Sequence, residues 1–352
     1  MSNQETATAI VKKENNRLLD IVKFILSLMV VAIHTALFPS VLYPFLRIAV
    51  PLFFILTSFF FFSKLKTQTT KTARRNTLKQ FVLRNVKLYL FWFVALLPIT
   101  LYARRNTWFS QNVWRSVGII VRSVLFDSTF IASWFITASI TAVVIVYFLS
   151  SKLHNCVLLF IGVLCQFLTI FQSSYAFVLA KFPFWACFCN RFQMLFSAPE
   201  FNFFVAIFWI ACGKCFADGT FKTLNKRILV FAVLFFSALL YVEWFILKRH
   251  TGVYNFDCCF ALMPLCTSCF ALIISTWING EKNTLFLRKS STVIYPLHGS
   301  IAIFTNSLEN KIFSCNLGVL SFSITLACCL IACFVIFRLE KKKGWRWLRY
   351  SH

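Results

Sequence analysis

The chain has 352 residues, of which 59% are hydrophobic and only 13% charged, with 45 phenylalanines among them. Soluble domains carry roughly a quarter charged residues, so this composition rules out an ordinary soluble enzyme and reads as a polytopic membrane protein. The net charge of +25 argues for lipid and not for nucleic acid, because the basic residues sit in short segments between apolar runs, the pattern of membrane orientation and anionic-lipid contact.

A membrane helix needs about 20 apolar residues. Windows of that length fall at 18–38, 42–62, 88–102, 133–150, 155–172, 200–217, 228–247, 260–278, 291–306 and 317–337. The expected fold is therefore an all-α transmembrane bundle of about ten spans, forming one domain over 1–352. Residues 1–17 make an N-terminal tail and 338–352 a basic C-terminal tail. Segment 113–126 mixes arginines with apolar residues and reads as an interfacial amphipathic helix. An inside N-terminus leaves most lysines and arginines in cytoplasmic segments, above all in the acid-free loop 63–87, so both termini are expected in the cytoplasm. The first apolar run lacks a small-residue cleavage pattern and reads as a membrane helix, not a signal peptide.

The first span holds the most unusual chemistry. Arg17, Asp20 and Lys23 precede His34 inside or beside an apolar run, and ionisable groups at that depth are costly enough to mark a site or pathway. Lys23 and His34 are eleven positions apart, which at 100° per residue returns to nearly the same helix face. Asp20 and Ser27 join that stripe. A purely structural alternative makes Asp20 and Lys23 an interfacial ion pair and His34 a packed polar residue.

Further along, Arg47 and Pro51 lie in the second span. Proline there frees a backbone carbonyl, and Arg47 either serves a site or snorkels to the outer surface. Arg84 and Lys87 share a helix face and can grip one phosphate, or simply obey the positive-inside rule. Glu243 is the deepest of the remaining acids, and His298 is a second intramembrane histidine. Most of the 14 cysteines fall inside spans as small hydrophobes. Cys187, Cys189, Cys258 and Cys259 lie near the outer face, where a disulfide is possible but its connectivity is not deducible. No ligand set for a metal is evident.

Taken together these residues resemble the acyltransferase 3 family of integral membrane acyltransferases. The family's basic residue, ten positions and histidine appear as Lys23 to His34, preceded by Arg17-x-x-Asp20. Its apolar run ending Ser-Gly-Phe appears as Val50 to Phe59, with Thr57-Ser58 in place of Ser-Gly. Its cytoplasmic Arg-x-x-Arg appears as Arg84 to Lys87. Then come Ser133-Trp134-Phe135, Gly213, and the segment from Ser291 through Tyr295 to His298. The resemblance spans nearly the whole chain.

It implies transfer of an acyl group, acetyl the expected case, from acyl-CoA to a hydroxyl of a cell-surface or lipid-linked glycan at the cell membrane. No bound cofactor is implied. The expected catalytic residues are His34, as base or covalent acyl carrier, with Lys23 and Asp20. The expected substrate contacts are Arg17, Arg47, Arg84, Lys87, Trp134, Glu243, Tyr295 and His298. Acyl transfer to a hydroxyl needs such a base or nucleophile and a cation for the developing oxyanion. A transporter or flippase would also hold charges in its spans, and a catalytically inactive relative would keep the family pattern.

Overall fold

The computed structural model describes residues 17–37, 42–109, 112–221, 224–250, 257–276, 284–313 and 318–352. The tail before Arg17 and Cys315 lie outside the described residues. All regular structure in the described residues is helical.

Helix α1 runs Arg17–His34. After a one-turn helix at Tyr43–Leu46 comes α2, Ala49–Lys66. Then follow α3 Lys71–Ala95, α4 Leu97–Trp108, α5 Val113–Phe126 and α6 Ser133–Leu149. Next are α7 Asn155–Gln172, α8 Pro183–Phe196, α9 Phe203–Asp218 and α10 Lys226–Arg249. Helices α11 Leu262–Ser275, α12 Leu285–Phe313 and α13 Val319–Leu339 follow, with a 3-10 segment Lys343–Ser351.

The helical bundle is as expected, but only part of the ten expected spans is borne out among the described residues. Among the described residues, four helices are long and apolar enough to cross a membrane, or six if each of two bent pairs counts as one span. The expected span 88–102 straddles a break: α3 and α4 meet at 80°. Leu96 leaves the helical region there and a proline stands in the first turn of α4. The expected span 200–217 becomes α9, joined at 45° to the segment Pro183–Phe201. Helices α6 and α11 have 17 and 14 residues, short of the usual spanning length. Helix α1 has the length but carries three charges, Arg17, Asp20 and Lys23. The expected loop 63–87 is largely helical, and the span read from 291 begins at Leu285, which places Arg288 and Lys289 on α12. Segment 113–126 forms the expected amphipathic helix and exposes Val113, Trp114, Val117, Val121 and Leu125.

Helices α2 and α9 make the centre. Both are apolar all round, the signature of a buried helix, and nearly all of α9 from Val205 to Gly213 is buried. They approach closely at Gly213, where an added Cβ would sit 2.5 Å from the Ile55 carbonyl oxygen and 2.6 Å from Ser58 Cβ. The Ser58 hydroxyl donates to the Ile210 carbonyl across the same contact. Small residues at helix contacts are the usual route to tight packing in membrane proteins. Helices α10 and α13 instead leave most of their apolar surface unburied by protein.

A first expectation follows from that contact. Gly213→Leu forces α2 and α9 apart and should lower stability by about 1–3 kcal/mol or more. The check is thermal unfolding of the purified variant, and an unchanged melting temperature would show that the contact yields freely.

Candidate functional site

One large basic cavity opens between α1, α2, α3 and α12, with a volume of about 980 Å³. Lys23, Lys64, Arg84, Arg288 and Lys289 line it, against one carboxylate, Asp20. Asp20 is buried and accepts a 2.7 Å hydrogen bond from the Thr284 hydroxyl. Lys23 Nζ stands 4.3 Å from the centre of the Phe60 ring and within electrostatic reach of Asp20, Arg84 and Arg288. Like charges gathered around one acid make the cavity a place for an anion, since each cation gains by the arrival of negative charge.

The C-terminal segment closes one side. Glu340 takes Lys289 Nζ at 2.8 Å and His352 Nε2 at 3.2 Å, and His352 itself lines the cavity. The Trp92 indole donates to the Ser351 carbonyl at 3.1 Å, which ties this segment to α3.

A pair of histidines marks the other end of α1. The rings of His34 and His298 lie 5.0 Å apart. His298 is fully buried: its Nδ1 sits 3.2 Å from the Ile294 carbonyl, and its Nε2 has no hydrogen-bond partner among the described residues. His34, in contrast, is an exposed residue. Its backbone is held separately, because Asn306 donates to the His34 carbonyl at 2.9 Å. Gly318 lies so close to the Ala36 carbonyl that a Cβ there would sit 2.2 Å from its oxygen. Glu309 fixes that glycine, accepting from its N–H at 3.2 Å and from the Ser321 hydroxyl at 2.6 Å.

Comparison with known families decides the broad identity. The profile of an acyltransferase domain family matches residues 16–338. This chain belongs to the acyltransferase 3 family. It is also similar to two proteins named amino-acid racemase from Enterococcus faecalis. One is 24% identical over 315 residues, covering 84% of this chain and 40% of that protein; the other is 23% identical over 342 residues, covering 92% and 46%. A protein named serine/alanine racemase from Enterococcus gallinarum is 22% identical over 348 residues, covering 94% of this chain and 47% of that protein. The chain thus spans less than half the length of these curated relatives. No solved structure matches it.

The acyltransferase 3 residues divide into three places. Asp20, Lys23, Arg84 and Tyr295 line the basic cavity. His34 and His298 form the pair at the far end of α1. The remaining expected contacts lie elsewhere. Lys87, one short turn beyond Arg84, turns away to the Tyr350 ring at 5.1 Å. Arg17 opens α1 and does not line the cavity. Ser27 donates to the Phe24 carbonyl at 2.7 Å inside its own helix, which removes the hydroxyl from the stripe.

Arg47 has partners within the protein. It pairs with Asp257 at 2.6 Å and also meets the Tyr43 hydroxyl and ring. It lines a second, small cavity of about 60 Å³ together with Trp134, Gln166 and Glu200.

Glu243 is held by three hydrogen bonds. Its Oε1 accepts from the Tyr175 hydroxyl at 2.8 Å and the Phe260 N–H at 2.7 Å, and its Oε2 accepts from the Ala261 N–H at 2.8 Å. It therefore receives the amide donors just before α11, where negative charge is favoured. Glu243→Ala should cost about 1.5–3 kcal/mol of stability and leave the acceptor KM of the folded fraction unchanged. Thermal unfolding and steady-state kinetics separate the two; a raised KM at unaltered stability would return Glu243 to substrate binding.

Sequence reading missed Arg288, Lys289, Lys64 and His352. The signal for the first two was present, since they stand three and two residues before Ser291, but they read as ordinary loop charge. His352 carried no signal.

Proposed function

We propose that this chain moves a short acyl group from acyl-CoA to a hydroxyl of a cell-surface or lipid-linked glycan, across the cell membrane. The observation that carries this reading is the basic cavity on the Lys23 side of α1, whose inner wall reaches Tyr295, the neighbour of His298 in the histidine pair. The phosphates of acyl-CoA suit Arg84, Arg288 and Lys64. Its acyl arm then extends along α1, and the acceptor approaches the exposed face of His34. The excess of lysine and arginine around α3 and the C-terminal segment supports placing the donor end and both termini in the cytoplasm.

His34 either takes the proton of the acceptor hydroxyl or carries the acyl group. In the first case the hydroxyl oxygen bonds to the thioester carbon, the carbon–sulfur bond breaks, and the proton passes through the imidazole to the leaving thiolate. In the second the imidazole is acylated first and the hydroxyl then displaces it. We place Lys23 and Asp20 in donor binding and not at the reacting atoms. Eleven residues of helix separate Lys23 from His34, roughly 16 Å of rise, too far for one cation to serve an oxyanion beside the imidazole.

The racemase name of the relatives belongs to proteins more than half of which lies outside the match, whereas the acyltransferase profile covers this chain almost throughout. The test is mass analysis of surface glycans from cells with and without the protein. Loss of an acyl increment supports the reading; identical glycans in both cells would overturn it.

A further inference from the structure

Helix α1 ends at His34, and α12 holds the way it ends. Ala36 takes a left-handed backbone with φ of 51°, a conformation that costs a non-glycine residue free energy unless its neighbours enforce it. The Ala36 carbonyl packs on Gly318, whose own φ is 75° and whose place leaves no room for a Cβ. Glu309 holds that glycine: its Oε2 accepts from the Gly318 N–H at 3.2 Å and from the Ser321 hydroxyl at 2.6 Å. On the same helix, Asn306 donates to the His34 carbonyl at 2.9 Å, and the His298 ring lies 5.0 Å from the His34 ring. One helix therefore supplies the ring neighbour of His34, a partner for its backbone, and the support of the turn that follows it. Glu309 is fully buried, and its Oε1 has no hydrogen-bond partner among the described residues. An acid in such a place is costly to keep.

We propose that Glu309 is a positioning residue for His34: it holds Gly318 under the Ala36 carbonyl and so fixes the turn that sets where the imidazole stands. This rests on the acyl-transfer reading above and adds a residue to it. A carboxylate that only anchored the start of α13 would stabilise the fold and leave α1 untouched. The contact between Gly318 and Ala36 joins the two. An exposed side chain at a helix end has few contacts of its own to fix it, so its direction follows the backbone beneath it. Reacting groups tolerate little displacement, and a shift of about 1 Å can cost about 100-fold in rate. Glutamine at 309 keeps an acceptor oxygen for both donors, whereas leucine keeps the bulk and loses the acceptor.

The experiment uses the full purified chain in nanodiscs and three readouts: kcat and KM for acetyl transfer, thermal unfolding, and the rate at which diethyl pyrocarbonate modifies His34, followed by peptide mass analysis. Glu309→Leu is expected to lower kcat about 10- to 100-fold with the donor KM unchanged. It should also speed His34 modification about threefold or more, because a ring released from its place beside His298 presents both nitrogens to the reagent. Glu309→Gln is expected to stay near wild type in both. Gly318→Ala, with Glu309 intact, should reproduce both effects, and the double variant should add little to either single one. Gly213→Leu, which loosens a distant helix contact, should leave His34 modification unchanged. An unaltered modification rate in folded Glu309→Leu would overturn the proposal, as would a Glu309→Gln protein as impaired as Glu309→Leu, or an equal change from Gly213→Leu. Should Glu309→Leu not fold, Glu309→Asp, whose carboxylate falls one methylene short of Gly318, carries the same comparison. Absence of transfer from any acyl-CoA would sink the acyl-transfer reading itself, and the His34 modification series would still decide whether Glu309 sets the place of that ring.

Discussion

His34→Ala is expected to abolish acyl transfer while leaving the protein inserted and folded. Loss of a positioned general base typically costs about 10²–10⁴ in rate, and loss of an acyl carrier removes the route altogether. The fold should tolerate the change. The His34 side chain is exposed, and the bond that anchors this end of α1 uses its backbone carbonyl, held by Asn306. Thermal unfolding and membrane yield report the fold, and glycan acylation reports the chemistry. His298→Ala makes a useful contrast, because that ring is fully buried and its loss should reduce stability as well as rate. Near-normal acylation by a correctly folded His34→Ala protein would remove the histidine from the mechanism.

The second large effect concerns the donor. Arg84→Ala combined with Arg288→Ala should weaken acyl-CoA binding by about 10- to 100-fold. A charge-assisted hydrogen bond contributes about 1.5–3 kcal/mol, and 1.4 kcal/mol is tenfold in affinity, but partial exposure of both groups reduces that figure. Acceptor KM should hardly change. Lys87→Ala supplies the internal comparison, since its ammonium group stacks on Tyr350 and not in the cavity. It should shift donor affinity less than tenfold. Binding measured at two ionic strengths adds a second readout, because phosphate contacts at an open basic site weaken with salt. Equal losses from Lys87→Ala and from the double variant would show that only net charge at this face matters.

The sequence by itself determined the membrane class, the helical character and the family. Each of these depends on local properties: apolar runs, the cost of charge inside them, and motifs in order along the chain. The spacing of Lys23 and His34 was also legible, because helix geometry turns an eleven-residue interval into a shared face.

What the tertiary structure decided are directions and partners. Hydropathy windows measure how apolar a segment is but not whether it continues straight, so the 80° break between α3 and α4 and the 45° bend before α9 left no trace in the count of spans. Arg84 and Lys87 have equal charge and neighbouring positions; the rotation of α3 against α2 sends one into the cavity and the other to Tyr350. Glu243 reads in the sequence only as a deep acid; its hydrogen bonds to Tyr175 and to the amides before α11 come from the packing of three segments. Arg288 and His352 reach the basic cavity only because α12 begins early and the C-terminal segment folds back onto α3. Phe53, Phe135 and Tyr295 bring rings together from three helices far apart in the chain. Side-chain partners across helices depend on helix rotation and approach, which the packing of the whole bundle sets and no single segment encodes.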